Sequence, residues 1–222
     1  PYVRVNTVRD LGGIGTPEAI KAVKDAVPSL IQLLQGQDFH VRGLVSKVLE
    51  NIGKDVVPAL IPMLKDEDLE VRVSVAVVLK KIGTPEALNA VNEYQQSLIP
   101  MLKDEDSEVR AYTVEILGQI GSADAVSALI LALQDEVVDV RGVAAWALGN
   151  IGKDAVPALI LTLQEPHFYI RVSAAEALGF IGADAKDAVP ALIQALRDGV
   201  GGVRAAVAEA LGFIGADAKD AV

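Results

Sequence analysis

An Arg preceded by Val or Ile and followed eleven residues later by an Ile-Gly pair recurs seven times along the chain. No other feature restricts the fold as strongly. The arginines are Arg4, Arg42, Arg72, Arg110, Arg141, Arg171 and Arg204, and the glycines are Gly15, Gly53, Gly83, Gly121, Gly152, Gly182 and Gly215. Between them the apolar residues fall on helical steps of four, four and three, as in Val140, Ala144, Leu148 and Ile151, or Val71, Val75, Leu79 and Ile82. Each unit is therefore one helix, here named inner, whose closing Gly accepts the left-handed conformation just past a helix end. A second Gly stands inside the unit at Gly118, Gly149, Gly179 and Gly212. An interior Gly costs about 1 kcal/mol relative to Ala, so it predicts close approach of a neighbouring backbone.

Fourteen residues before four of the arginines lies a Pro: Pro28, Pro58, Pro157 and Pro190. The segment around it, such as Val156-Pro157-Ala158-Leu159-Ile160, reads as a second, outer helix with Pro in its first turn, where the missing N–H costs nothing. Gln96 and Ser127 take that place in two repeats, while Pro62 and Pro100 lie deeper and predict kinks. Acidic turns such as Lys65-Asp66-Glu67-Asp68 separate outer from inner helix and supply N-caps. At Thr16-Pro17-Glu18 and Thr84-Pro85-Glu86 the distance from Gly to the Pro position is 13 residues, against 5 from Gly53 to Pro58. The additional residues either lengthen the outer helix or form a separate short one.

The chain thus reads as one repeat domain over residues 1–222: a lone inner helix (1–15), full repeats at 16–53, 54–83, 84–121, 122–152, 153–182 and 183–215, and a stub at 216–222. It begins at Pro1 in mid-repeat, and Ala208–Val222 is identical to Ala175–Val189, so the array is expected to be a piece of a longer one. Each hairpin buries its apolar face only against its neighbours. Ends without polar caps are therefore expected to pair with another copy or chain. Half of the residues are apolar (51%) but only 4% are aromatic, which leaves Ala, Val, Leu and Ile to build the core.

Composition also removes functions. With no Cys there is no disulfide, thiolate metal site or thiol nucleophile, which fits a reducing compartment, and the cytoplasm is the expected location. A net charge of −10 disfavours nucleic acid. The positions five after each Arg run Arg9, Lys47, Val77, Glu115, Trp146, Glu176 and Glu209, so the carboxyl half of that stripe is acidic. No apolar run reaches membrane-spanning length. His40 and His167 lie in different repeats, and HExxH, a phosphate-binding Gly loop and G-x-S-x-G are all missing. No catalytic residue, metal site or cofactor is expected.

The early Pro, the turn Asp, the Val-Arg pair and the ending Leu178-Gly179-Phe180-Ile181-Gly182 together resemble the HEAT-like repeat family, in particular the short bacterial type named after phycobilisome lyases. The resemblance implies an all-α, right-handed α-solenoid (an α–α superhelix) of stacked helical hairpins, with the second helices lining a concave face. It also implies that turn acids pair with inner-helix arginines within and between repeats: Asp66 with Arg72, Asp104 with Arg110, Asp135 with Arg141, Glu165 with Arg171 and Asp198 with Arg204. At Arg42 the turn position is Gly36, where the ladder is expected to break unless Asp38 substitutes. These charges are assigned to structure. Family hydroxylases bind iron through paired His-Glu motifs, which this chain lacks.

If the inner helices line the concave face, the positions one, five and nine after each Arg are its exposed stripe. Most hold small or polar residues, and against them Trp146, Phe180 and Phe213 stand out, with Tyr112 close by. Such aromatics either anchor a partner or pad the packing between repeats. The turn Glu165-Pro166-His167-Phe168-Tyr169 is a second departure, three rings where other repeats carry charge. It forms either a rim contact or, as the expected arrangement, packs Phe168 under the turn. The function so implied is a non-enzymatic scaffold that binds a protein or peptide. Two alternatives stand beside it: a phycobilin-lyase-like subunit handling a tetrapyrrole, and a regulatory segment of a larger protein.

Overall fold

The computed structural model describes residues 17–36 and 38–215. The first inner helix and the final stub expected from the sequence lie outside them. Among the described residues twelve α-helices alternate strictly between outer and inner, and there is no strand. The outer helices are α1 (Pro17–Leu34), α3 (Val57–Leu60), α5 (Pro85–Leu98), α7 (Val126–Ala132), α9 (Val156–Thr162) and α11 (Val189–Ala195). The inner helices are α2 (Phe39–Ile52), α4 (Leu69–Ile82), α6 (Ser107–Ile120), α8 (Val138–Ile151), α10 (Phe168–Ile181) and α12 (Gly201–Ile214), each of 14 residues. Two compact units divide them, the first ending at Tyr94 and the second beginning at Gln95, within α5.

In the first unit α2 packs against α1 and α4. In the second, α6, α8, α10 and α12 stack side by side in one layer, each flanked by the next, with α7, α9 and α11 behind them. An inner helix with neighbours on both flanks is buried around most of its circumference, so its sides must be small. In α8 the core residues Val140, Ala144 and Leu148 are sealed, and so are Ala145 and Ala147 on the flanks. Ile82 and Ile151, in the last turns, are only half-buried.

Three of the four interior glycines sit where a neighbouring helix approaches closely. A Cβ on Gly118 would lie 2.5 Å from Cβ and 2.7 Å from Cα of Ala147, and one on Gly149 would lie 2.5 Å from Cβ of Phe180. At Gly179 the nearest atom would be Cα of Ala210 at 3.3 Å, whereas Gly212 faces open space. The closing glycines of all six described inner helices have φ between 63° and 89°.

Three local expectations are settled by the helices themselves. The additional residues lengthen the outer helix in both places, giving the continuous α1 and α5, 18 and 14 residues long against 7 for α7, α9 and α11. Pro28 therefore lies well inside α1 and not in a first turn, a correction that follows from this extension. Pro58, Pro157 and Pro190 do occupy first turns. Pro62 and Pro100 do more than bend their helices. Each falls at the start of a 3₁₀ segment, Ile61–Lys65 and Ile99–Lys103, that replaces the last α-turns, because Pro cannot donate to the carbonyl four residues back. The turn acids cap as expected at Asp38, Asp68 and Asp106, each accepting from a backbone N–H of the inner helix it precedes.

Candidate partner-binding site

The arginines show what the turns are built for. Nη1 of each described inner-helix Arg donates back to the main chain of its own turn: Arg42 to Gly36 O at 2.9 Å, Arg72 to Asp66 O at 2.6 Å, Arg110 to Asp104 O at 2.8 Å. Arg141, Arg171 and Arg204 repeat this with Asp135 O, Glu165 O and Asp198 O at 2.7, 2.8 and 2.8 Å. Within a repeat the hydrogen bond is thus to a carbonyl, while the turn carboxylates Asp66, Asp104, Asp135 and Asp198 act on the same Arg as nearby charges. A main-chain acceptor needs no particular side chain, so the clamp holds at Gly36 as well. Asp38 caps α2 instead of replacing a missing acid.

The turn carboxylates have two other tasks. One oxygen accepts from the N–H two residues on, at Asp68, Asp106, Val137 and Val200. In two rungs the carboxylate also grips the Arg of the preceding repeat. Asp135 receives Nε and Nη2 of Arg110 at 2.7 and 2.9 Å, and Asp198 receives those of Arg171 at 2.8 and 3.0 Å. These bidentate, partly buried bonds hold both carboxyls below the usual aspartate range. In the first unit Arg42 comes within 3.8 Å of Glu70, and Gln35 donates to Asp66 at 2.8 Å. There Lys81 and Lys47 also outweigh the burial of Glu50 and lower its pKa.

The expected stripe emerges on the inner helices. Position nine after the Arg is exposed in all six described copies, Asn51, Lys81, Gln119, Asn150, Phe180 and Phe213. Position five is exposed or half-exposed throughout, and position one varies, with Val73 buried. All the aromatics singled out by sequence lie in the second unit. Trp146 is 40% exposed, Phe180 58%, Phe213 70% and Tyr112 47%. The root of Phe180 packs over Gly149 and a ring edge of Phe213 over Gly179, so these side chains are seated on the neighbouring helix with their rings largely in solvent. Glu176 and Glu209, at position five of α10 and α12, are close enough to interact. Partial burial and then Glu209 raise the Glu176 carboxyl above its ordinary value.

The aromatic turn differs from expectation. Phe168 is 51% exposed and does not pack under its turn, because it occupies the first residue of α10, ahead of the buried face that starts at Ile170. Tyr169 is the half-buried ring: His167 stacks on it at 5.5 Å, Phe168 meets it edge-on at 5.9 Å, and the Arg141 guanidinium lies 5.0 Å from its centre. Beside it, between the amino-terminal halves of α8 and α10, opens a groove of about 650 Å³. Val138, Val143, Phe168 and Val172 give it apolar walls, with Asp139, Arg141 and Glu176 as its charges. The sequence pointed to the rings but not to this groove. The apolar Leu131 and Leu161, exposed on the outer helices α7 and α9, also escaped it. Among the described residues no group of acids and histidines could hold a metal, and no helix is long and apolar enough to cross a membrane.

Paired helices stacked by inner-helix contacts and glycine-lined interfaces define an α–α repeat protein. The family model for HEAT repeats matches residues 27–97, 95–179 and 156–222, and the chain belongs to that family. No curated protein matches it. Among solved structures it is similar to an engineered protein, 27% identical over 94% of this chain and 64% of that one, with a TM-score of 0.35. The complex of CpcE and CpcF of phycocyanin lyase from Nostoc is 30% identical over 70% of this chain and 64% of that one, TM-score 0.39. Human deoxyhypusine hydroxylase in complex with glycerol is 22% identical over 93% and 88%, TM-score 0.46. The chain spans just under two thirds of the first two.

Proposed function

We propose that this chain is a non-enzymatic scaffold whose second unit binds a protein or peptide on its inner-helix face. The observation that carries the reading is the exposure of Trp146, Phe180 and Phe213 on three adjacent inner helices of a chain with only 4% aromatic residues. Burial in the core does not account for rings this exposed, and large rigid aromatics seated at their root lose little entropy when a partner covers them. The HEAT-repeat family supports the same reading, since stacked hairpins present an extended surface for recognition.

The test compares quantitative capture by the wild type with that by a variant carrying Trp146→Ala and Phe180→Ala. The expected result is loss of the proteins retained by the wild type, with an unchanged helical circular dichroism spectrum. Equal capture by the two would overturn the site.

A further inference from the structure

The three consecutive arginines Arg110, Arg141 and Arg171 sit in equivalent places, and their N–H edges are not equally used. In each, Nη1 is tied to the carbonyls of its own turn. On Arg110 and Arg171 the remaining fork, Nε with Nη2, holds the Asp of the following repeat. On Arg141 the following repeat supplies Glu165-Pro166 in place of Asp, and no described residue accepts from Nε or Nη2. Asp135 and Asp198 also accept from the N–H two residues on, whereas Glu165, one methylene longer, makes no such bond. The face of the Arg141 guanidinium rests on Tyr169, 5.0 Å from the ring centre, which orients the open edge. That Arg belongs to the groove walled by Val138, Phe168 and Val172.

We infer that Arg141 and the adjoining groove form a site for a peptide carrying an Asp or Glu beside an apolar side chain. The peptide carboxylate takes the fork that Asp135 takes on Arg110, and the apolar group lies along Phe168 and the valines. Asp139 and Glu176 also line the groove. Acidic surroundings do not prevent such pairing, because Arg110 holds Asp135 with Glu136 only 4.0 Å from the same guanidinium. This inference rests on the scaffold reading and names the chemistry of what binds.

The test follows the arginine Nε–H signals of the whole chain by NMR during titration with an N-acetylated, C-amidated Leu-Asp-Leu peptide, and with Leu-Asn-Leu as control. The expected result is a saturable shift of the Arg141 signal with the Asp peptide, while Arg110 and Arg171 stay in place and the Asn peptide binds at least about tenfold more weakly. Arg141→Gln abolishes the response but also removes the clamp on Asp135. A second variant, Glu165→Asp with Pro166→Glu, therefore rebuilds the neighbouring rung and fills the fork from within the chain. It is expected to weaken the peptide about tenfold while keeping the fold. Equal shifts with the two peptides, parallel movement of all the arginines, or undiminished binding to the rebuilt variant would each overturn the inference. Were the peptide to bind Arg141 while the Trp146 and Phe180 substitutions left capture unchanged, the aromatic stripe alone would fall. With the peptide silent and capture lost, the groove site falls and the scaffold stands.

Discussion

Replacing Gly118 by Ala tests whether the stack is held by close backbone approach. The new Cβ would lie 2.7 Å from Cα of Ala147, against an optimal carbon–carbon separation of about 3.5–4.0 Å. Relieving that contact moves α8 away from α6 by about 1 Å, and overpacking of this kind costs about 1–3 kcal/mol. The substitution also returns the helix propensity that Gly forgoes, about 1 kcal/mol. The net effect expected for Gly118→Ala is then a loss of roughly 0–2 kcal/mol, the difference of those two figures. Gly142 supplies the control, because it is interior to α8 and a Cβ there has nothing within 4 Å. For Gly142→Ala only the propensity term acts, a gain of about 1 kcal/mol. Urea unfolding at pH 7 should place the two variants on opposite sides of the wild type, or at least about 1 kcal/mol apart, with unchanged m. If Gly118→Ala proved as stabilising as Gly142→Ala, the close approach would not be what retains Gly at this position.

Acid should weaken the inter-repeat rungs. The Asp135 and Asp198 carboxyls have folded pKa values below their unfolded ones. Their contribution is therefore complete above about pH 4 and disappears as pH falls through the folded values. Urea midpoints across this range should fall more steeply for the wild type than for the variant with both changed to Asn, and parallel slopes would refute the rungs' role. Glu176 has the opposite sign, since burial and Glu209 raise its folded pKa. Glu176→Gln should stabilise at neutral pH, with the gain fading as pH falls through the raised folded value and gone below about pH 4, where the carboxyl is protonated folded or unfolded. Absence of any gain at pH 7 would count against that burial. Mixing the protein with a bilin should leave the visible spectrum of the pigment unchanged, whereas a saturable spectral shift would favour a tetrapyrrole-handling role over the scaffold.

The helices and their order could be read from the chain because a hairpin repeat is a local object. The Arg-to-Gly register, the 3.6-residue apolar spacing and the Pro at the outer start each act within one turn or one helix, so α8 and α10 were legible from Val140 to Ile151 and from Ile170 to Ile181. The interior glycines Gly118, Gly149 and Gly179 also announced a close approach, although not which atoms meet there. Tertiary structure decided the partners. Which carboxylate fills the Nε and Nη2 fork of Arg110 is settled only by stacking, which brings up Asp135, a residue 25 positions away. Sequence spacing places acids near arginines without saying which oxygen faces which nitrogen. Phe168 and Tyr169 are adjacent in sequence, yet the start of α10 turns one ring to solvent and lays the other against Arg141. The open fork on Arg141 arises in the same way. A substitution in one repeat, Glu165 for Asp, is felt by the arginine of the repeat before it, across an interface that exists only once the hairpins have stacked.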